Sequence, residues 1–385
     1  MRRLRIAIVT PGFVADREEP GLAAVVDLVE RLALVHDCQV VALRHPPARP
    51  PYTLAGATVR TIGGGSEAGP LGRSAVLARG VRAVLRLHRR RPIDLVHALW
   101  GDEAGAVAAV SARLVRRPSM VSFLGGELAR IPDIGYGAAL GVGGRWTVAT
   151  ALRLGDVVTA GSSTLRDSVR ERGPRGTVAL LPLGVDVTLF RPAEEPRPGP
   201  PTILFVGSLE PVKDPAAALR TFAAVARDRR DLRLTIVGDG GLRRSLEDVS
   251  AELGVVGRVA FLGQLPRVRM PEVYRSASLL LVTSRHEGQS MVAVEAAATG
   301  LPVVGTRVGI LPDLGDAALT VRIGDEDGLA AAVARVLDDA ELATRMGAAA
   351  RATAVARFDL DRTAAEVLAT YDDLVTRGGA RDRRS

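Results

Sequence analysis

Short β-type runs alternate with stretches of helical periodicity along the whole chain, and no other feature constrains its fold as much. "RIAIVT" is followed by a segment with Leu22, Val25, Val26, Val29 and Leu32 on one helical face. "CQVVAL", "ATVRTI", "DLVHALW", "SMVSFL", "DVVTA" and "TVALLP" continue the strand series, with helical segments between most of them. After "FRPAEEPRPGPP" (190–201) the alternation restarts with "TILFVG" and runs through "LRLTIVG", "RVAFLG", "ASLLLVTS", "LPVVGT" and "ALTVRI". Strands that alternate with helices imply parallel sheets covered on both faces. The expected class is α/β, with two tandem doubly wound, Rossmann-like domains. Residues 1–190 form the first domain, the proline-rich 191–201 stretch is a linker, and 202–358 form the second. Residues 359–385 are expected as a C-terminal helix packing back toward the first domain.

Composition narrows the function. The net charge is +8, carried almost wholly by arginine, and Lys213 is the single lysine. Aromatic residues make up only 3%, so the stacking platforms of a single-strand nucleic-acid binder are missing and nucleic acid is excluded as a partner. One cysteine, Cys38, excludes an internal disulfide and suits a reducing compartment. The apolar run in "MRRLRIAIVTPGF" is ended by Pro11, so it reads as a first strand and not as a signal peptide. No apolar stretch approaches the roughly 20 residues of a membrane span, and a cytoplasmic protein is expected. Five dispersed histidines and one cysteine give no metal-ligand spacing. "DLD" at 359–361 resembles an Asp-x-Asp metal site, but Asp359 sits where it would cap the last helix.

Ligands of doubly wound sheets bind beyond the carboxyl ends of the strands. In the second half the residues just after the strands are "GSLEPVKD", "GDGGLRR", "GQLP" and "SRHEGQS". Between Glu287 and Arg307 the only charge is Glu295, inside "MVAVEAAAT". Ser290 reads as an N-cap and Gly300 as the C-terminal stop of a helix of about nine residues. Amides around Gln289, Ser290 and Met291 would then point out of a helix N-terminus, which favours a phosphate, and Gly288 lets a ligand come close. Carboxylates beside a phosphate make sense as acceptors from the hydroxyls of a sugar and a ribose. Glu287 as a partner of the helix dipole and Glu295 as a solvated residue is the equally simple reading of the spacing alone.

Five ordered segments carry a family resemblance. "LPLGVDVTLFRP", "FVGSLEPVKDP", "IVGDGGLRRSLE", "VAFLGQLPRVRMPEVYRSA" and "HEGQSMVAVEAAATGLPVV" resemble motifs of the retaining glycosyltransferases of the GT-B fold, the large group-1 or family 4 type with its paired-glutamate motif. The resemblance covers nearly the whole chain. It implies a donor held mainly on the second domain and an acceptor mainly on the first, in a cleft between them. Glu287 would hold hydroxyls of the donor sugar and Glu295 those of the ribose. Backbone groups at Gln289, Ser290 and Met291 would hold the diphosphate and sugar, and Lys213 falls where the family keeps a cation on the diphosphate. Gly263 to Leu265 would border the nucleobase. No cofactor and no metal are implied; a UDP- or GDP-sugar is the favoured co-substrate.

The chain departs from the pattern in three places. Ser208 stands where the family commonly has an arginine, so one usual cation on the leaving diphosphate is absent or supplied elsewhere; Arg285 is a candidate, although a solvated arginine is the commoner explanation of it. "EEPGLAA" leaves only Gly21 for close approach to the diphosphate. "LGGE" puts Leu124 where many relatives have histidine and Glu127 where they have a carboxylate. A histidine base there is excluded. Glu127 orients an acceptor hydroxyl or caps the next segment, and the sequence leaves both open. His97 reads better as a packed strand-end residue, while Asp102 and Glu103 suit either the acceptor side or a helix start.

The resulting expectation is a metal-independent, retaining glycosyltransferase with Lys213, Glu287 and Glu127 as its catalytic groups. Two rivals are an epimerase-like enzyme on the same fold and a catalytically weak nucleotide-sugar-binding partner. The basic segment near 79–91 places Arg79, Arg82, Arg86 and Arg90 on one helical face, opposite Val81, Val84 and Leu85. A solvated face is the commoner explanation of such a run; peripheral contact with the inner face of a membrane is the alternative.

Overall fold

β1 (Arg5–Gly12) has no polar face, and its residues Ile6, Ala7, Ile8 and Val9 are fully buried. Continuous apolarity of this kind is what a parallel strand covered by helices on both sides requires. β2 (Asp37–His45), β3 (Tyr52–Leu54), β4 (Ala57–Thr61), β5 (Leu95–Leu99), β6 (Ser119–Phe123), β7 (Val157–Ala160) and β8 (Thr177–Leu180) complete the first sheet. Their order is β3-β4-β2-β1-β5-β6-β7-β8, parallel throughout except for the antiparallel β3–β4 edge. The computed structural model describes residues 2–16, 22–63, 69–194 and 199–382.

The second sheet is wholly parallel. It contains β9 (Thr202–Val206), β10 (Arg233–Val237), β11 (Val259–Gly263), β12 (Leu279–Val282), β13 (Val303–Thr306) and β14 (Ala318–Val321). The order is β11-β10-β9-β12-β13-β14, which reverses direction between β9 and β12. Side chains alternate strictly between faces. Ile203, Phe205, Leu279 and Leu281 enter one core, while Leu204, Leu280 and Val282 enter the other. Each such side chain, fully buried, contributes roughly 1.5–3 kcal/mol against exposure. That two-faced burial is the reason these strands read as unbroken apolar runs.

The chain divides into two compact units, Met1–Leu183 with Asp361–Ser385, and Gly184–Leu360. The second unit therefore starts before the proline-rich stretch, not after it. Val185 donates its amide to the Phe358 carbonyl at 2.8 Å and accepts from the Leu360 amide at 3.0 Å. Phe190 is fully buried and meets Tyr274 edge-on at 6.0 Å between ring centroids. Arg351 ties this segment down further, donating to the carbonyls of Val187, Phe190 and Ala298. In the first unit, the helix Leu360–Asp382 buries Tyr371 against His97 of β5.

Candidate functional site

In an open α/β sheet the ligand crevice lies where the strand order reverses. For the second unit that point is between the carboxyl ends of β9 and β12. One loop leaves β9 through Gly207, Ser208 and Lys213 to Asp214, whose side chain caps the helix Pro215–Val225 by accepting from the Ala217 amide. The other leaves β12 through Thr283 and Ser284 to the helix Met291–Ala298. Thr283 stitches the two together. Its Oγ1 lies 2.9 Å from the Lys213 carbonyl and 2.8 Å from that of Asp214. The Arg285 amide adds a bond to the Val212 carbonyl at 2.8 Å.

Lys213 Nζ is 2.7 Å from Glu287 Oε1, and the Ser284 hydroxyl donates to the same oxygen at 2.7 Å. The lysine side chain is 26% exposed and the glutamate 8%. Glu295 is anchored differently. Its Oε2 accepts from the Tyr274 hydroxyl at 2.8 Å, and burial, reinforced by Glu295 itself, holds that phenol well above its ordinary pKa. Tyr274 and Ser284 carry no signal in the sequence; nothing in the spacing of residues 274 and 295 announces their contact.

Ser290 occupies the N-cap position but does not cap. Its backbone is left-handed (φ 81°, ψ 80°), its side chain makes no cap bond, and its buried Oγ has no partner among the described residues. The helix it precedes has eight residues, with Thr299 as C-cap and Gly300 following at φ 73°. Gln289 is buried and its carbonyl accepts from the Ile310 amide at 2.8 Å. Gly309 permits this approach, since a Cβ there would fall 2.5 Å from that carbonyl oxygen. Gly288 is buried beside it, and Met291 is half-buried in the first helical turn.

The other side of the crevice is shaped by glycine. The Gly207 amide donates to the Val237 carbonyl at 3.0 Å and the Gly238 amide to that of Gly263 at 2.8 Å. A Cβ on Gly238 would lie 1.9 Å from the Gly207 oxygen, so no other residue fits. Gly263 ends β11 at φ 67°, and Leu265 packs partly into the unit's core. Ser208 is exposed, and Arg285 is half-buried.

The first unit has its own pocket of about 340 Å³, where its strand order reverses between β1 and β5. Gly12, Trp100, Asp102, Glu127 and Tyr136 line it. Glu127 lines this pocket with its carboxylate anchored by the backbone. It is buried, and its carboxylate accepts from the amides of Gly101 (3.0 Å), Leu124 (2.9 Å) and Gly125 (2.7 Å). Three amides occupy three of its roughly four acceptor sites and tie together the loops after β5 and β6. Asp102 is the other carboxylate in the lining. Burial, with the charges of Glu127 and Glu103 beside it, pushes its carboxyl up to about 7, and its Oδ1 has no partner among the described residues. Glu103 is held by Arg44 and Arg73.

His97 is buried, with Nδ1 2.6 Å from the Tyr371 hydroxyl and Nε2 2.9 Å from Ser122 Oγ. Burial drives its pKa down to about 3, so it is a neutral packing residue. Gly21 lies outside the described residues. The basic segment belongs to the helix Gly69–Arg90, which buries Val76, Val84 and Leu87 and leaves Arg82, Arg86 and Arg90 exposed. Val81 and Leu85, expected on the buried face, are only half-buried. Among the described residues no helix is long and apolar enough to cross a membrane, and no cluster of metal-ligating side chains is found.

The family described as glycosyl transferases group 1 matches residues 186–353, and the glycosyl transferase 4-like domain matches 22–184. A D-inositol 3-phosphate glycosyltransferase of Nocardia farcinica is 36% identical over 215 residues, 51% of this chain and 48% of that protein. The chain thus spans about half the length of the curated relatives it matches. Sucrose-phosphate synthase of Thermosynechococcus elongatus superposes with a TM-score of 0.81 at 22% identity, over 97% of this chain and 100% of that one. The HepE protein of Anabaena, in complex with UDP and glucose, superposes at 0.75 and 21% identity, over 97% and 100%. These likenesses show the fold, two Rossmann-like domains of the GT-B type.

Proposed function

The chain belongs to the group 1 glycosyl transferases, and on that premise we propose that it moves a sugar from a nucleotide diphosphate, UDP or GDP, to an acceptor hydroxyl. The reading includes retention of anomeric configuration and no divalent metal. The observation that carries it is the Lys213–Glu287 pair at the strand-order reversal of the second unit. A cation and a carboxylate fixed side by side suit a ligand that is anionic at one end and rich in hydroxyls at the other. Lys213 and the first amides of the Met291–Ala298 helix stabilise charge developing on the leaving diphosphate, a pre-organised electrostatic effect. Glu287 receives hydroxyls of the sugar, and Glu295, steadied by Tyr274, those of the ribose. The departing phosphate oxygen takes the acceptor proton from the same face, so Leu124 in place of a histidine is no obstacle. The acceptor is assigned to the pocket of the first unit, beside Asp102.

Calorimetry on two variants tests this division. Glu295→Gln should weaken both the free nucleotide diphosphate and the intact donor. Glu287→Gln should leave diphosphate binding nearly unchanged and reduce transfer. A hydrogen bond to a charged group is worth about 1.5–3 kcal/mol, so each effect should reach at least about tenfold. Equal loss of diphosphate affinity in both variants would overturn the assignment. For the exposed arginines of the Gly69–Arg90 helix, contact with an anionic membrane is proposed; Arg82→Ala with Arg86→Ala should reduce sedimentation with phosphatidylglycerol vesicles.

A further inference from the structure

The amino ends of β6, β7 and β8 open onto a second, larger pocket of about 940 Å³, at the opposite end of the first sheet from Asp102. Six arginines line it: Arg113, Arg116, Arg117, Arg153, Arg175 and Arg377. The one carboxylate among its lining residues is Asp156. That carboxylate is already used. Its Oδ2 accepts from the amide and hydroxyl of Ser119, both at 2.9 Å, and its Oδ1 from Arg113 at 3.0 Å. Arg113 is held in place as well by the Leu154 carbonyl at 2.8 Å. Among the described residues, Arg116, Arg153 and Arg175 take part in no ion pair, although elsewhere in the chain arginines pair with nearby carboxylates. Leu154, Val157 and Leu374 supply an apolar floor.

Arg116 adds an independent signal. The helix Glu103–Leu114 ends in a turn in which the Arg117 amide reaches back to the Ala112 carbonyl at 2.9 Å. The residue before it, Arg116, takes the left-handed conformation at φ 53°. Glycine is the usual occupant of that position, because a Cβ strains it. A strained side chain kept at a pocket rim is a pointer to function, provided the strain is observed. Here it presents a guanidinium to a pocket already rich in them.

We infer that this pocket is a binding site for a compact organic molecule bearing two or more phosphate groups. Guanidinium forks match phosphate oxygens two at a time. Several converging arginines call for more than one phosphate, and the volume is that of a small-molecule site. The concavity favours such a ligand over a flat bilayer surface. The site is separate from the Lys213–Glu287 crevice and needs nothing from the reaction proposed there.

The test is a calorimetric titration of tripolyphosphate, with inorganic phosphate as the weak comparator. It is performed on the full chain carrying Lys213→Ala, so that the crevice of the second unit contributes little. Tripolyphosphate should bind, and Arg153→Ala with Arg175→Ala should weaken it at least about tenfold. Arg116→Gly should weaken it as well while raising the melting temperature in phosphate-free buffer, because glycine relieves the backbone strain. Undiminished binding in these variants would overturn the inference, as would no binding of tripolyphosphate at all. Capture of the chain by phosphatidylglycerol vesicles that depends on Arg153 and Arg175, with no binding of free tripolyphosphate, would overturn it in favour of a membrane surface.

Discussion

Lys213 Nζ lies 2.7 Å from Glu287 Oε1 across 74 residues of sequence, joining the loop after β9 to the loop after β12. Ser284 holds the same carboxylate oxygen. The pair is only partly open to water, so each charge depends on the other for much of its solvation. Stability and function are therefore entangled at these two residues, and the variants that separate them are the informative ones.

Lys213→Ala should lower turnover by roughly 10²- to 10³-fold, the size seen for losing one pre-organised donor. It should also destabilise the second unit by about 1–3 kcal/mol, because Glu287 keeps only Ser284. Adding Glu287→Gln should restore most of that stability and none of the turnover. Denaturant melts and steady-state rates on the single and double variants provide the check. Turnover within threefold of the parent would remove Lys213 from the mechanism.

Ser290 separates strain from chemistry. Its left-handed backbone and its unpartnered buried Oγ are two different peculiarities. Ser290→Gly relieves the first and deletes the second, whereas Ser290→Ala only deletes the second. If the hydroxyl serves the donor, both variants should lose turnover to a similar degree, and the glycine variant should melt at the higher temperature. Full activity in both would make Ser290 a structural residue.

Asp102 should leave a signature in the pH dependence of stability. Its carboxyl is raised from 3.8 to about 7. Between those values the folded chain binds a proton that the unfolded chain has released, so this contribution falls as pH rises through the window. His97, held down near 3 from an ordinary 6.5, works in the opposite direction over an overlapping window. Comparing Asp102→Asn with the parent at each pH cancels the histidine. The two should be equally stable near pH 4, and the asparagine variant should gain steadily on the parent toward pH 7. A gap independent of pH would mean that Asp102 titrates as an ordinary carboxylate.

Transfer activity should survive excess EDTA, because Lys213 and a helix N-terminus together neutralise the leaving diphosphate. Rates measured before and after chelation decide this. Loss of activity that Mg²⁺ or Mn²⁺ restores would reject the metal-free reading.

Local pattern alone determined that the chain would build two parallel, doubly covered sheets. A strand buried on both faces must be apolar along its whole length, and "RIAIV" and "TILFV" say so without any neighbour. The same logic put the site residues after the strands, and Lys213, Glu287 and Glu295 are indeed on loops and a helix that begin there. What each of these side chains touches was decided only by tertiary structure. Tyr274 on Glu295, Tyr371 on His97 and the Gly101 amide on Glu127 are contacts between segments whose separation in space no periodicity encodes. Ser290 shows the limit within a single turn: its residue type is that of an N-cap, but its backbone is left-handed and its hydroxyl caps no amide, while the Gln289 carbonyl before it is held against Gly309 and Ile310. Periodicity reports which face of an element is buried; distance and partner depend on how the loops are held.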